Sequence, residues 1–274
     1  MASVQAFAAA RGARVELTSR PRHASELASR ALAEGCELIV TVGGDGTLNE
    51  VAARLVGTAA TFGLVPCGSG NGLGRHLGIH GRVDHALDIL RTGQPRLIDS
   101  GLADGHPFFT AAGLGFEAEV SARFNQLKER GFFRYLTTSA ALWRTHRPED
   151  CWIECHGERL PARAFTLAVA NSDQYGNNAR IAPGARVDDG LLDLTVIPPV
   201  SVLQAVPMIA GLFAGSFGHA WNVLRLRAER FVVERPAPGL IHTDGETHPA
   251  GRRVEFSIRP ASLRVLAPAP VTGR

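Results

Sequence analysis

Residues 1–90 alternate between two patterns of hydrophobic and polar positions. Apolar residues at helical spacing predict four helices, at residues 4–10, 23–34, 49–56 and 83–90. Short apolar runs predict three strands, at residues 13–17, 37–42 and 61–65, and the run at 37–42 is expected to be buried. Because helices alternate with strands over short connections, we expect an α/β domain at residues 1–95, with a parallel sheet and helices on both faces.

From residue 97 onward the pattern changes to many short strands separated by turn signals such as Asp-Gly and Asn-Asn. The predicted strands lie at residues 97–102, 107–112, 151–155, 165–170, 192–196, 231–234, 253–258 and 262–266. Helical patterns interrupt them at residues 117–144 and 202–213. The sequence therefore predicts a second, mostly antiparallel β domain at residues 96–274.

The composition excludes several classes of function. The chain has 274 residues, of which 45% are hydrophobic and 20% charged, as in folded globular proteins. Its 29 basic and 26 acidic residues leave a net charge of +3, too small for a dedicated nucleic-acid-binding surface. Lys128 is the only lysine, which excludes both the Gly-Lys-Ser/Thr loop of P-loop enzymes and the protein-kinase pattern.

Cysteines and hydrophobic stretches bear on the compartment. The four cysteines are Cys36, Cys67, Cys151 and Cys155. They show no paired metal-ligand spacing and are expected to be reduced thiols. The start of the chain lacks the pattern of a secretion signal, and the longest uncharged stretch, residues 195–224, is interrupted by prolines. We therefore expect a cytoplasmic protein.

One helical segment has two interpretations. Residues 132–147 mix aromatic and aliphatic residues with arginines. This pattern is typical either of an amphipathic helix packed on the protein or of a helix that rests on an anionic membrane surface. The second interpretation predicts peripheral membrane association.

The sharpest chemical motif is Gly43-Gly44-Asp45-Gly46-Thr47-Leu48-Asn49-Glu50, which follows the strand predicted at residues 37–42. Glycines let a ligand approach the backbone closely, and amides at the start of a helix attract anions. Thr47 or Asn49 is expected to cap the following helix. Asp45 suits a phosphate loop if a divalent cation neutralises it or if it accepts a proton; the alternative is an ordinary turn with an aspartate cap.

A second glycine-rich loop, Gly68-Ser69-Gly70-Asn71-Gly72-Leu73-Gly74, follows the strand predicted at residues 61–65. Leu73 stands where the dinucleotide-binding fingerprint requires glycine, so the loop is not of that type. Alone, the loop would also fit an ordinary linker. Two such loops after neighbouring strands are harder to explain as linkers, because open α/β sheets bind ligands at that edge.

Two acidic motifs lie in the β domain. Asp244-Gly245-Glu246 places two carboxylates around a glycine, so that both can face one cleft; a solvated hairpin tip is the alternative. The run from Arg186 to Asp193 combines carboxylates with turn carbonyls, which suit a hard cation, although aspartates are also common in turns. Gly113-Leu114-Gly115-Phe116-Glu117-Ala118 resembles a nucleotide loop but lacks the βαβ context that such a loop needs.

In this order, the four motifs resemble the diacylglycerol kinase catalytic-domain family, which includes bacterial diacylglycerol kinases and the sphingosine and ceramide kinases. The resemblance implies an α/β nucleotide domain, a β-sandwich-like C-terminal domain and a cleft between them. It also implies transfer of the γ-phosphate of ATP to the hydroxyl of a lipid such as diacylglycerol or a sphingoid alcohol. ATP and Mg²⁺ are the implied cofactors, and no nucleic-acid partner is expected.

The resemblance also assigns roles to individual residues. The implied nucleotide-binding residues are Thr18, Gly43, Gly44, Asp45, Gly46, Thr47, Leu48, Asn49, Glu50, Gly68, Ser69 and Asn71. The implied catalytic residues are Asp45 and the pair Asp244 and Glu246, of which the glutamate is the implied proton acceptor. The implied ligands of a structural Mg²⁺ are Arg186 and Leu191, through their carbonyls, and the side chain of Asp189. As a loop residue, Asp45 is expected to tolerate replacement by asparagine without loss of the fold.

The chain departs from the family pattern at its start. Members usually begin with a strand that ends in Asn-Pro-x-Ser/Ala-Gly, whereas this sequence begins at Met1 in the helix expected after that loop. A catalytically weak lipid- or nucleotide-binding regulator is therefore one alternative. An NAD kinase is another, because those enzymes share Gly-Gly-Asp-Gly. Glu119 matches an acid near the amino-alcohol head in sphingosine kinases, and otherwise reads as a surface residue of a helix.

Overall fold

The computed structural model describes residues 2–127, 132–217 and 223–269, so that Lys128 lies outside the described residues. The chain folds into two units, one formed by Met1–Ile98 with Ala261–Arg274 and the other by Asp99–Pro260. The predicted boundary at residue 95 lies close to the first change of unit. The prediction missed that the C-terminal segment belongs with the first unit, because a strand pattern does not reveal the sheet that the strand joins.

Unit 1 has the helices and strands of an α/β domain. They are α1 (Ala2–Ala10), α2 (His23–Ala33), β1 (Leu38–Gly43), α3 (Asp45–Leu55), β2 (Thr61–Pro66), α4 (Gly72–His76), α5 (Val83–Thr92) and the start of β3 (Gln94–Ala103). β1 and β2 pair in parallel from Leu38↔Thr61 to Gly43↔Pro66. β2 also pairs in parallel with the last part of β14 (Arg253–Ala267), through Phe62↔Val265. The predicted parallel sheet is therefore confirmed.

Apolar side chains between helices and strands form the core of unit 1. Leu55 of α3 and Phe62 of β2 are fully buried. Gly63 allows α5 to lie close to β2, because a Cβ at this position would come within 2.7 Å of Leu90 Cδ2. The core thus fixes α3, which follows the first glycine loop, and β2, which precedes the second.

Two predictions about the first strands are wrong. Residues 13–17 form no strand in the described chain, and Leu17 is 69% exposed. β1 is not fully buried: Leu38 is 42% and Val40 37% exposed, since among the described strands it pairs only with β2. An apolar run alone cannot distinguish an edge strand from a central one, because both contain the same residue types.

Unit 2 is an antiparallel β-sandwich with helices on its outside, as the family resemblance implied. One sheet has the strand order β10-β9-β8-β5-β12-β13, formed by β5 (Ala111–Gly115), β8 (Thr166–Ala170), β9 (Leu192–Ile197), β10 (Leu224–Ala228), β12 (Gly239–Thr243) and β13 (Glu246–Ala250). The other contains β4 (His106–Phe108), β6 (Glu149–Cys155), β7 (Glu158–Ala164), β11 (Arg230–Glu234) and the unit-2 parts of β3 and β14. Leu114 and Ile241 of the first sheet pack with Phe231 and Phe256 of the second in one buried core.

The described residues of unit 2 also form the helices α6 (Phe116–Asn125), α7 (Phe132–Trp143) and α8 (Val202–Ala214). α8 begins with a capping box in which Ser201 and Gln204 bond reciprocally, a local signal for a helix start. Among the described residues, no helix is both long and apolar enough to cross a membrane.

The strands predicted from the sequence do not include four that the structure describes in unit 2: β7, β10, β12 and β13. β7 is largely exposed and β13 contains Pro249, so neither shows the apolar alternation of a half-buried strand. The two strands predicted at residues 253–258 and 262–266 are one continuous strand, β14.

Candidate functional site

Helix α3 begins earlier than the sequence predicted. Gly44 is its N-cap in an extended conformation, and the helix starts at Asp45, with Leu48 N donating to Gly44 O at 3.0 Å. The expected caps, Thr47 and Asn49, instead lie inside the helix, and no side chain caps it. The first amides of a helix have no intrahelical partner, and helix starts of this kind bind anions in other proteins.

The carboxylate of Asp45 joins the two glycine loops of unit 1. Its Oδ2 accepts the N–H of Asn71 at 2.8 Å, and its Oδ1 accepts the N–H of Gly72 at 2.9 Å. These two amides lie at the start of α4, so Asp45 caps α4 rather than α3. The carboxylate therefore has a structural function in the loops, and that Asp45→Asn leaves the fold intact stays a prediction.

Glycines allow the two loops to touch through their backbones. A Cβ at Gly68 would lie 2.6 Å from Gly44 Cα, and one at Gly70 would lie 2.7 Å from Asp45 Oδ2. Cys67 N also donates to Gly43 O at 2.8 Å. The two motifs, distant in sequence, thus form one structure.

Asn71 shapes the second loop from within. It adopts the left-handed conformation at φ 54°, and its side chain both accepts from Gly68 N at 2.9 Å and donates to Gly68 O at 2.7 Å. Ser69, between them, is exposed at the tip of the loop. The structure therefore separates Asn71, which holds the loop, from Ser69, which can contact a ligand.

Other predicted nucleotide-binding residues lie further from the loop tips. Glu50 accepts the N–H groups of Arg22 at 3.1 Å and Ser25 at 3.4 Å, so its carboxylate anchors the start of α2. Leu48 is 6% exposed and belongs to the core. Thr18 lies in the exposed segment before α2. Within this group, then, Glu50 and Leu48 have clear structural roles.

In unit 2, Asp244 resembles Asp45 because its carboxylate accepts hydrogen bonds from backbone N–H groups. It accepts N–H groups from Phe109 at 2.8 Å, Thr110 at 2.9 Å and Ala111 at 3.1 Å, together with the Thr110 hydroxyl. The turn occupies the left-handed region, with φ 49° at Asp244. Asp244 therefore fixes the turn between β12 and β13.

Glu246 has a different setting from Asp244. It is the first residue of β13 and is exposed, opposite Thr243 in the hairpin ladder. The predicted acid pair is thus present in one turn, but its two carboxylates have unequal surroundings. Only the glutamate is presented at the surface of unit 2.

The acid-rich turn predicted to bind Mg²⁺ is partly closed by an arginine. Asp189 accepts the N–H of Leu191 at 3.1 Å, and Arg227 forms ion pairs with both Asp189 and Asp193. Asp193 Oδ2 is buried with no hydrogen-bond partner among the described residues. Burial, opposed by Arg227, raises the pKa of Asp193.

This donor set fits a hard cation chemically, with Arg227 as the competing positive charge. Carboxylate and carbonyl oxygens are the ligands that Mg²⁺ prefers, and the buried oxygen of Asp193 would add one. Within the described ranges, no group of three or more histidine, cysteine, aspartate or glutamate side chains is arranged to hold a metal. A site that uses the carbonyls of Arg186 and Leu191 with Asp189 therefore remains a prediction.

Glu119 on α6 pairs with a buried histidine. Its carboxylate lies 3.0 Å from His146 Nδ1, while His146 Nε2 lies 2.8 Å from Phe165 O. The imidazole packs edge-on against the rings of Phe116 and Phe165. Glu119 is thus an exposed residue of α6 that also lies beside a buried histidine, and its contact with a lipid head group stays a prediction.

Sequence reasoning missed a buried polar cluster under α6. Glu117 Oε1 lies 3.2 Å from His242 Nε2, with the two side chains 10% and 6% exposed, and the Tyr175 hydroxyl donates to the other oxygen of Glu117. A Cβ at Gly113 would lie 1.8 Å from Glu117 Oε1, so this glycine makes room for the carboxylate. The Gly-x-x-x-Glu spacing at 113–117 was visible in the sequence, but its partner His242 was not.

Two family models match the chain. The diacylglycerol kinase catalytic domain matches residues 1–103, and the YegS C-terminal NAD kinase beta sandwich-like domain matches residues 110–267. A probable lipid kinase YegS-like of Pseudomonas fluorescens is 34% identical over 94% of this chain and 87% of its own length. A diacylglycerol kinase of Mycobacterium tuberculosis is 30% identical, over 93% and 84% respectively. The chain belongs to this family of lipid kinases.

Other matches concern length and fold. The chain spans 59% of an uncharacterized protein of Synechocystis, to which it is 31% identical over 92% of its residues. A diacylglycerol kinase from Bacillus anthracis superposes with a TM-score of 0.69 at 17% identity, covering 93% of this chain and 85% of that one. An NAD kinase from Archaeoglobus fulgidus in complex with ATP gives 0.56 at 13%, covering 97% and 88%. At these identities the structural likeness shows the fold alone.

Proposed function

We propose that this protein transfers the γ-phosphate of ATP to the hydroxyl of a lipid, diacylglycerol or a sphingoid-type alcohol, in a Mg²⁺-dependent reaction. Residues 43–47 and Ser69 contact the nucleotide, and Thr18 contributes from the segment before α2. Leu48, Asn49, Glu50, Gly68 and Asn71 hold these loops in place, and Glu246 accepts the proton of the lipid hydroxyl. Membership of the lipid kinase family supports the class of reaction.

The observation that supports the nucleotide site is a difference between the starts of two helices, α3 and α4. The carboxylate of Asp45 occupies the amides at the start of α4, whereas no side chain caps α3. The first turn of α3 therefore offers its backbone N–H groups to a phosphate, helped by the helix dipole. The close contact of Gly44 with Gly68 keeps side chains out of the way of that ligand.

The different surroundings of Asp244 and Glu246 support the glutamate as proton acceptor. Phosphoryl transfer depends mainly on positioning and charge neutralisation, and an alcohol has to lose its proton during the transfer. Asp244 already accepts from three backbone N–H groups, so its oxygens are engaged within unit 2. Glu246, exposed at the start of β13, can reach an acceptor alcohol.

Mg²⁺ enters the proposal at the turn of residues 186–193. The carbonyls of Arg186 and Leu191 and the carboxylate of Asp189 would hold it, with Asp189 exchanging Arg227 for the cation. Bound there, Mg²⁺ would neutralise the acid-rich turn and stabilise unit 2.

Peripheral membrane contact is a further part of the proposal, and α7 supports it. Phe133 is 75% and Leu136 39% exposed near the start of the helix, whereas Trp143 at its end packs on Phe165 with ring centroids 4.4 Å apart. The two interpretations of this segment thus apply to different parts of it. In sedimentation with anionic vesicles, Phe133→Ser should bind less than wild type, and equal binding would contradict this role.

A labelled-ATP assay tests the function. The protein is incubated with Mg²⁺, ATP labelled at the γ-phosphate, and mixed micelles that contain diacylglycerol, sphingosine or ceramide, with NAD in a parallel sample. We expect label in one lipid from wild type and from Glu229→Gln, an exposed acid in the same unit, and none from Glu246→Gln. Label in NAD alone would favour an NAD kinase, and binding without transfer would favour a regulator.

A further inference from the structure

The backbone of Gly245, in the middle of the acid turn, is held at two successive peptide groups. Its N–H donates to His242 Nδ1 at 3.4 Å, and its carbonyl accepts from Asn125 Nδ2, at the end of α6, at 2.8 Å. Together with the bonds of Asp244, these contacts fix the backbone that leads into Glu246. The orientation of His242 is therefore coupled to the orientation of the turn.

The hydrogen bonds define which nitrogen of His242 carries its proton. Because Nδ1 accepts from Gly245 N, neutral His242 carries its proton on Nε2. Nε2 lies 3.2 Å from Glu117 Oε1, an electrostatic contact in which neither atom has a hydrogen-bond partner among the described residues. The Tyr175 hydroxyl donates to the second oxygen of Glu117. Burial and the nearby Glu117 carboxylate raise the pKa of Tyr175, so this hydroxyl remains a donor.

The antiparallel pairing of β5 with β12 explains why Glu117 and His242 lie close together. Gly113 on β5 pairs with His242 on β12, so the space above residue 113 adjoins the imidazole. The absence of a side chain at Gly113 leaves that space to the carboxylate of Glu117, from the first turn of α6. Burying a carboxylate is costly unless it is paired, which indicates that the arrangement has a use beyond packing.

We propose that Glu117 and His242 are positioning residues that hold the Asp244-Gly245-Glu246 turn in the geometry needed for phosphoryl transfer. The carboxylate of Glu117 attracts the Nε2 side of the His242 ring and so orients it, and His242 Nδ1 in turn holds the N–H of Gly245. This inference rests on the proposed function of Glu246. Neither Glu117 nor His242 takes a direct part in the chemistry.

Two substitutions of His242 separate its two contacts. His242→Asn keeps an oxygen near the position of Nδ1 and so retains the acceptor for Gly245 N–H. His242→Gln places its amide nearer the position of Nε2, which retains the contact with Glu117 and loses that acceptor. We expect kcat to fall about 100-fold in His242→Gln and about tenfold in His242→Asn. The KM for ATP should be unchanged in both variants. Equal losses, or the reverse order, would overturn the proposal.

A double-mutant cycle tests whether Glu117 acts through His242. Glu117→Gln should lower kcat in the wild-type background, because an amide can turn its donors towards His242 Nε2–H. In the His242→Asn background the same change should have almost no further effect. Additive losses would show that Glu117 acts independently and would contradict the proposal.

Amide hydrogen exchange at Gly245 gives a readout that does not depend on activity. Exchange should be faster in His242→Gln than in His242→Asn, and unchanged in Glu246→Gln, which removes only the proton acceptor. If wild type phosphorylates no lipid, the proposed function fails while exchange still tests the positioning. Should His242→Gln not fold, Glu117→Gln still tests the proposal, because it should speed exchange at Gly245 through its effect on His242; unchanged exchange in that variant would overturn the proposal.

Discussion

The Gly44-Asp45-Gly46 turn of unit 1 and the Asp244-Gly245-Glu246 turn of unit 2 use their aspartates alike and their remaining groups differently. Asp45 accepts two backbone N–H groups and Asp244 accepts three, so each carboxylate binds a neighbouring segment of its own unit. What remains in unit 1 is the uncapped start of a helix. What remains in unit 2 is an exposed side chain, Glu246.

This difference teaches how acids in glycine-rich turns should be assigned. A carboxylate can accept about four hydrogen bonds, and those already made to buried backbone amides are costly to give up. Asp45 and Asp244 therefore each stabilise the backbone around their turns. The binding groups we propose are backbone amides in unit 1 and a second carboxylate in unit 2.

The largest expected effect concerns Glu246. Glu246→Gln should lower lipid phosphorylation by about 10²–10⁴-fold, since it removes the general base. ATP affinity, measured by calorimetry, and the thermal midpoint should stay at wild-type values. Transfer that persists in Glu246→Gln but disappears in Asp244→Asn would reverse the assignment within this turn.

The next largest effect concerns the free energy of unfolding, which should depend differently on Asp45 and Asp244. Asp45→Asn and Asp244→Asn each keep one oxygen and leave at least one N–H facing an amide group, so each should lower the free energy of unfolding by about 1–3 kcal/mol. Asp244→Ala should cost more than Asp45→Ala, because it frees three N–H groups instead of two.

Chemical unfolding followed by hydrogen exchange in each unit measures this difference. Asp150→Asn, a substitution of an aspartate whose side chain is 84% exposed, should stay within about 0.5 kcal/mol of wild type. Alanine variants of equal stability would show that the extra bonds of Asp244 contribute nothing.

The loop contact in unit 1 is tested by adding single methyl groups. Gly68→Ala brings a Cβ to 2.6 Å from Gly44 Cα, whereas Gly44→Ala brings one to 3.2 Å from Gly68 Cα. Gly68→Ala should destabilise by about 1–3 kcal/mol and weaken ATP binding, with a smaller effect from Gly44→Ala. Gly251→Ala, where the nearest atom lies 3.9 Å away, is the control. Undiminished ATP binding in Gly68→Ala would argue against a nucleotide at these loops.

The smallest effect concerns a third acid–glycine turn, at Asp189 and Asp193. Mg²⁺ should raise the thermal midpoint of wild type by about 2–4 °C and leave Asp189→Asn unchanged. An equal Mg²⁺ shift in wild type and Asp189→Asn would exclude this turn as the site.

The sequence by itself predicted the α/β class of the first region, the antiparallel β class of the second, and the motifs that resemble a lipid kinase family. These features are local: periodicity, glycine clusters and acid spacing are written in neighbouring residues. For the same reason it predicted the existence of most strands better than their limits or partners, as the edge position of β1 and the fusion within β14 illustrate.

Only the tertiary structure decided what each acid does. Whether Asp45 caps α3 or α4, whether Asp244 or Glu246 is exposed, and whether Glu117 meets His242 depend on contacts between segments far apart in the chain. A carboxylate behaves according to the donors that surround it and its exposure to water, and folding supplies both. Spacing in the sequence therefore located these turns, while the packing of strands and helices distinguished their structural acids from the one we propose to be reactive.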